Sequence, residues 1–197
     1  SKAYKEFGFE LKNTLIGANG TIRCLNLLDS TLLTSGSDDS YFRVWNLKEN
    51  KVRDSFGKDN GGHSNQIRDL ISIDKDYMST ASLDGSIKIW RVTHKETKLI
   101  KTLDSTNGGH TQGVLRLAAL DNNLVSVSVD KTVKIWDIKN LDQIKIKYTF
   151  DSSKDGHSGM NNGGHEGLIF DLANLGNSGK IASVAADKII KIWNVEL

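Results

Sequence analysis

The sequence predicts an all-β chain of four repeats, each folding as one small antiparallel sheet. Three observations carry this. Four tryptophans lie in similar strings, Tyr41-Phe42-Arg43-Val44-Trp45, Ser86-Ile87-Lys88-Ile89-Trp90, Thr132-Val133-Lys134-Ile135-Trp136 and Ile189-Ile190-Lys191-Ile192-Trp193, spaced 45, 46 and 57 residues apart. An aspartate stands six residues before each tryptophan (Asp39, Asp84, Asp130, Asp187), and a hydroxyl four residues before each aspartate (Ser35, Thr80, Ser126, Ser183). Gly-Gly-His strings ending at His63, His110 and His165 open three of the units, 26 to 28 residues ahead of the tryptophan. Self-similarity at this period marks stacked units that cannot bury an apolar face alone.

Each element follows from local pattern. In the second repeat, residues 67–73 and 77–82 read as two strands parted by the turn-like Asp74-Lys75-Asp76. Ile87-Lys88-Ile89-Trp90 alternates apolar and polar with β-branched residues, which suits a third strand. Asp84-Gly85 has the composition of a tight hairpin turn between them. Residues 98–103 supply a fourth strand, and no amphipathic helix stands out. The repeats are placed at about 16–60, 61–107, 108–162 and 163–197 within one domain, 1–197, and residues 7–15 read as a lone fourth-type strand ahead of the first. Residues 48–60, 104–109 and 151–164 are expected to be polar surface loops.

Composition narrows the classes. A chain of 197 residues can bury a core without staples, and a single cysteine excludes a disulfide framework or a Cys-rich zinc module. No run reaches the ~18 apolar residues of a membrane span. Residues 1–10 lack the apolar core of a signal peptide, and the missing initial Met suggests a processed or truncated chain. The net charge of +2 gives no global field for nucleic acid or anionic membrane.

The recurring His, Ser/Thr, Asp and Trp resemble WD40 repeats, whose units are four-stranded propeller blades. Trp136-Asp137 matches the naming dipeptide; Trp45-Asn46, Trp90-Arg91 and Trp193-Asn194 depart from it. The resemblance implies a hydrogen-bonded tetrad in each blade: His63, Thr80, Asp84, Trp90; His110, Ser126, Asp130, Trp136; and His165, Ser183, Asp187, Trp193. The first repeat has Ala18 where a histidine is due, so Ser35, Asp39 and Trp45 form an incomplete set and that blade is expected to be looser. Closed rings of this family more often have about seven blades. Four blades are therefore expected to be part of a larger propeller, with a self-closed or dimer-completed unit as the alternative.

A histidine, a hydroxyl and an aspartate within reach invite a catalytic-triad reading. Their recurrence in three repeats favours a structural device, since an enzyme needs one exposed nucleophile. The histidines belong to different repeats and lack ligand spacing, so no metal or cofactor is expected. Cys24 reads as a small core residue, His94 and His157 as solvated, and the acceptor-like Asn19-Gly20-Thr21 as chance.

The resemblance also points to a partner-binding face around the channel. Its positions map to Thr21, Arg23 and Asp38; Gln66, Arg68 and Leu83; Gly113, Leu115 and Val129; and Leu168, Phe170 and Ala186. The first two repeats offer polar groups and the last two an apolar patch. The expected function is a non-catalytic intracellular scaffold, cytoplasmic or nuclear, binding proteins or peptides in a larger complex. No direct contact with nucleic acid and no membrane insertion are expected. The alternative is a reader of short phosphorylated peptides through Arg23 and Arg68.

Overall fold

The computed structural model describes residues 10–152, 163–176 and 178–195. Among the described residues, fifteen strands form four antiparallel meanders. Blade one holds β1 (Ile22–Leu27), β2 (Leu32–Ser37), β3 (Phe42–Asn46) and β4 (Lys51–Phe56). Blade two holds β5 (Ile67–Ser72), β6 (Tyr77–Ser82), β7 (Ile87–Val92) and β8 (Thr97–Leu103). Blade three holds β9 (Val114–Leu120), β10 (Asn123–Ser128), β11 (Val133–Asp137) and β12 (Lys145–Phe150). Blade four holds β13 (Ile169–Asn174), β14 (Lys180–Ala185) and β15 (Ile190–Asn194).

The core lies between blades rather than inside them. At the first joint, Phe42 and Val44 of blade one meet Ile67, Leu70, Met78 and Trp90 of blade two. The next two joints repeat the arrangement around Trp136 and Trp193. Trp90, Trp136 and Trp193 thus each cross from their own blade onto the previous one. Trp90 tilts against Phe42 and Phe56 at 4.9 and 5.0 Å between ring centres, and Trp193 against Phe150 at 4.6 Å. Such pairs add about 0.5–1.5 kcal/mol beyond the area they bury.

The inner strands pack in series, β1 on β5, β5 on β9 and β9 on β13. Among the described residues the series does not close, and the four blades form an open arc. The lone strand expected over 7–15 does not form in its described part, since residues 10–15 belong to no ladder. A strand needs a partner edge, and the chain here is held at blade one, with Gly17 packed against Trp45 and Val52. Residues 7–9 lie outside the described residues. One loop expectation also changes. Residues 48–60 contain β4, because Val52 and Phe56 pair with Trp45 and Phe42 and mask the alternation that the charged residues hide. Residues 104–109 hold a 3-10 turn capped by Asp104, whose side chain accepts from the Thr106 N–H. Most of the 151–164 segment lies outside the described residues.

The second-to-third hairpins share one backbone shape. Ser40, Gly85, Lys131 and Lys188 occupy the same turn position with φ of 71°, 85°, 69° and 66°. Only Gly85 adopts that left-handed conformation without a Cβ penalty. The aspartate before it makes the turn affordable elsewhere, by accepting from the N–H two residues on (Tyr41, Ser86, Thr132, Ile189).

Blade one lacks a histidine but not a lock. Arg43 is buried and grips Asp39 through both nitrogens, at 3.0 and 2.8 Å. Trp45 still donates its indole N–H to Ser35 Oγ at 2.8 Å. The looseness expected there therefore meets a substitute: a guanidinium from β3 supplies the charge and donors that the imidazole supplies elsewhere. Arg43→Ala is expected to lower stability by about 3 kcal/mol, because it removes the charge partner of a partly buried carboxylate, read as the shift in urea unfolding free energy.

Candidate interaction surface

In the other three blades the tetrad is a directional relay. Trp90 Nε1–H donates to Thr80 Oγ1 at 2.9 Å; the Thr80 hydroxyl faces His63 Nε2 at 2.8 Å; His63 Nδ1 meets Asp84 at 3.0 Å. Blade three repeats this through Trp136, Ser126, His110 and Asp130, and blade four through Trp193, Ser183, His165 and Asp187. A carboxylate only accepts, so the Nδ1 atom carries the proton. Nε2 is then free to accept from the hydroxyl, which in turn accepts from the indole. The relay is fully satisfied only with neutral imidazole. Burial pushes His63 and His110 down from their ordinary value, against the pull of Asp84 and Asp130. Burial alone would raise those two carboxyls, but hydrogen bonds from the histidine, from Ser86 or Thr132, and from backbone N–H groups hold them well below the usual range.

The same aspartates fix the entrance of each inner strand. Asp84, Asp130 and Asp187 accept from the N–H that follows the histidine (Ser64, Thr111, Glu166), and Asp39 accepts from Asn19. Next to them, the backbone N–H of Asp38, Leu83, Val129 and Ala186 donates to the carbonyl of Thr21, Gln66, Gly113 and Leu168, at 2.8 to 2.9 Å. Two of the three face positions of every blade are therefore tied together by backbone, whatever their side chains.

Their side chains differ along the arc. Arg23 and Asp38 form a bidentate pair at 2.8 and 2.6 Å. Arg68 lies near Asp38 as well, its Nε buried without a partner and its Nη1 only 3.5 Å from Gln66 Oε1. Arg23 is therefore already paired with an anion within the fold. This gives the phosphate-reading alternative no support, since Arg23 would have to leave Asp38 to accept a ligand. Further along, Leu83 packs over Gly113 of the next blade, Leu115 and Val129 are half-buried, and Leu168 and Phe170 stand exposed. The apolar patch is thus graded, deepest at blades two and three and open at Leu168 and Phe170.

Pattern reasoning missed a second layer just below. Asp69 accepts from the Leu117 N–H of the next blade at 2.8 Å, and Arg116 pairs with Asp171 of the blade after at 3.0 Å. Burial pushes the Asp69 carboxyl up. These residues sit one place beyond the arginine position in their strands, a place that reads Cys24, Asp69, Arg116, Asp171; the alternation of charge is the only trace they leave in the sequence. Cys24 itself is pushed up to about 12, chiefly by burial, which keeps it an inert thiol.

Residues 9–46, 56–91, 97–137 and 153–194 match the family description "WD domain, G-beta repeat". The chain is similar to the ribosome biogenesis protein ytm1 of Emericella nidulans, 30% identical over 116 residues, which is 56% of this chain and 24% of that protein. It spans about a quarter of the length of such relatives. Among solved structures, the WD40 beta propeller domain of Doa1 superposes with a TM-score of 0.67 at 26% identity over 91% of this chain and 52% of that one. The RRP9 WD40 repeats superpose with a TM-score of 0.73 at 21% identity over 91% of this chain and 50% of that one.

The relay has a pH signature. Folded His63 and His110 titrate below the 6.5 of a free imidazole, so the unfolded chain binds more protons as pH falls through 6.5. Stability is expected to be full above that value and to fall from there toward pH 5, then further below 4 as the tetrad aspartates protonate. The thermal midpoint should drop by about 3 °C or more between pH 7.5 and 5, and the slope should be shallower in His110→Gln.

Proposed function

Since this chain belongs to the WD40 repeat family, we propose that it is a non-catalytic scaffold that docks other proteins within a larger assembly. The observation that carries this is the backbone-clamped face ending in exposed Leu168 and Phe170. Rigid presentation of a few apolar side chains, with polar groups beside them, is the make-up of an interface core and rim. The hydroxyls that a triad would need point the other way. Thr80, Ser126 and Ser183 are buried, each already holding an indole N–H, so none can reach a substrate.

The assembly we favour is one that serves ribosome biogenesis, from the likeness to the ytm1 proteins, with a nuclear site of action following from it. No helix among the described residues is long and apolar enough to cross a membrane. The partner surface is assigned to Leu115, Val129, Leu168 and Phe170, with Leu83, Gln66 and Arg68 as its polar-to-apolar border. Arg23 and Asp38 act as a neutral pair at its far side.

Phe170→Asp and Leu168→Asp are expected to abolish capture of the assembly by the tagged chain, with unfolding unchanged, because both side chains are exposed. Arg23→Ala is expected to leave capture intact. Affinity purification followed by mass spectrometry reads both; retention of every partner by the Phe170 and Leu168 variants would sink the assignment.

A further inference from the structure

A cleft of about 700 Å³ opens between blades two and three. It lies at the end of the sheets opposite Leu83 and Val129, where β6 begins with Tyr77 and β11 ends with Asp137. Tyr77, Ile100 and Leu141 give it apolar walls, and the exposed Lys139, Asp142 and Lys145 give it polar ones. The cleft exists because one loop is longer than its counterparts. Seven residues join β11 to β12, against four from β3 to β4 and four from β7 to β8. The extra length forms a 3-10 turn, Leu141–Gln143, that reaches back onto β8. Asn140 holds this turn, its side chain accepting from the Asp142 N–H at 3.0 Å.

The first joint handles the same place differently. Four residues beyond its tryptophan, where blade three has Asn140, blade two has His94, and His94 bridges to Asp29 of blade one at 3.0 Å. Arg53 adds a second tie there, donating to the Thr93 carbonyl and to Thr97 Oγ1 at 2.6 and 2.7 Å. The corresponding cleft is about 350 Å³, and His94 and Asp29 both line it. At the second joint, among the described residues, no hydrogen bond or ion pair ties residues 138–144 to blade two. Leu141 and Ile100 meet only through the apolar cluster on which both pack. One joint is latched and the next is left open.

Register shows what else faces this opening, because opposed residues of an antiparallel pair share a face. Tyr77 opposes Arg91, Arg91 opposes Lys98, and Lys101 opposes Ile89, which is buried in the second joint. Lys98 and Lys101 therefore point toward blade three, as Ile100 does. Arg91 is met by Glu96 at 3.4 Å, and Asp137 has Lys145 directly opposite. Among the residues that line the cleft or share its wall, that leaves Lys98, Lys101 and Lys139 against Asp142. A positive frame thus surrounds an apolar floor. β8 is also the outer edge of its sheet, with no strand beyond it among the described residues, so its outward N–H and C=O groups are open to pairing. We propose that this cleft docks an extended segment of a partner protein in which an aliphatic residue is flanked by aspartate or glutamate. The segment adds along β8, its aliphatic side chain enters between Tyr77, Ile100 and Leu141, and its carboxylates meet Lys98, Lys101 and Lys139. A peptide fits better than a phosphate chain, because an open strand edge is completed by peptide groups and because Asp137 and Asp142 line the same cleft.

The test is selection of binders from a phage-displayed library of random short peptides on the whole chain. The peptides retained are expected to share an aliphatic residue between acidic ones. Their affinity is expected to fall by about tenfold or more when Lys98→Glu is combined with Lys139→Glu, since reversal sets like charges against the carboxylates. Both lysines are exposed, so the unfolding midpoint is expected to stay where it is. On binding, backbone amide exchange is expected to slow in β8 and in residues 139–145. Recovery of no such peptide, with or without binding of polyuridylate RNA at the same lysines, overturns the proposal. So does an affinity indifferent to the lysine reversal, or protection that falls outside β8 and that loop. Phe170→Asp is expected to leave peptide binding intact, so this site and the channel-face assignment can fail independently.

Discussion

An indole N–H that lies in an apolar joint must find an acceptor there, and most of this structure is arranged to provide one. In blades two to four the tryptophan has to leave its own sheet to fill the gap against the previous blade. Its N–H is then met by a hydroxyl on the adjacent strand, 2.8 to 2.9 Å away in all four blades. In three blades that hydroxyl is polarised by an imidazole and the imidazole by a carboxylate. Chained donors strengthen one another in a dry site, and a gap anywhere leaves a buried polar atom unpaired. The carboxylate at the far end is also what holds the hairpin turn and the start of the inner strand. Packing at the joint and presentation at the face thus rest on one relay.

The first blade shows which part of that relay is negotiable. The tryptophan and the hydroxyl are kept, because nothing else fills the joint or takes the indole proton. The histidine is not, because its task at the aspartate is to donate and to balance charge. Arg43 does both from the neighbouring strand, holding the Asp39 carboxyl at about 2 against the opposing effect of burial. In blades two and three a lysine occupies the same position and turns to the outer strand instead. One position on the tryptophan strand therefore serves either the aspartate or the strand beside it, according to whether an imidazole is present.

A blade is apolar on both faces, so a single blade is unstable and a row of blades always has two unsatisfied ends. Here those ends differ: one exposes the inner-strand face of blade one, the other the tryptophan-strand face of blade four. The channel face is separate from both. Its chemistry runs from an internally neutralised Arg23–Asp38 pair to exposed leucine and phenylalanine, and docking of apolar groups fits it better than capture of an anion.

Much of this was legible in the chain itself. The tryptophan spacing, the hydroxyl, aspartate and histidine registers and the strand alternation determined the repeat number, the strand order within a blade and the identity of each tetrad, because local geometry and hydrogen-bond chemistry force those residue types to recur. The strand at 51–56 was obscured because its charges face outward between two apolar anchors, and only pairing with β3 shows which faces count. Tertiary structure alone decided the rest. It placed Arg43 on Asp39, Arg23 on Asp38 and Asp69 on the next blade's backbone, and it left residues 10–15 and β15 apart. These are contacts between groups that no fixed sequence interval relates, so they depend on how one sheet sits against the next.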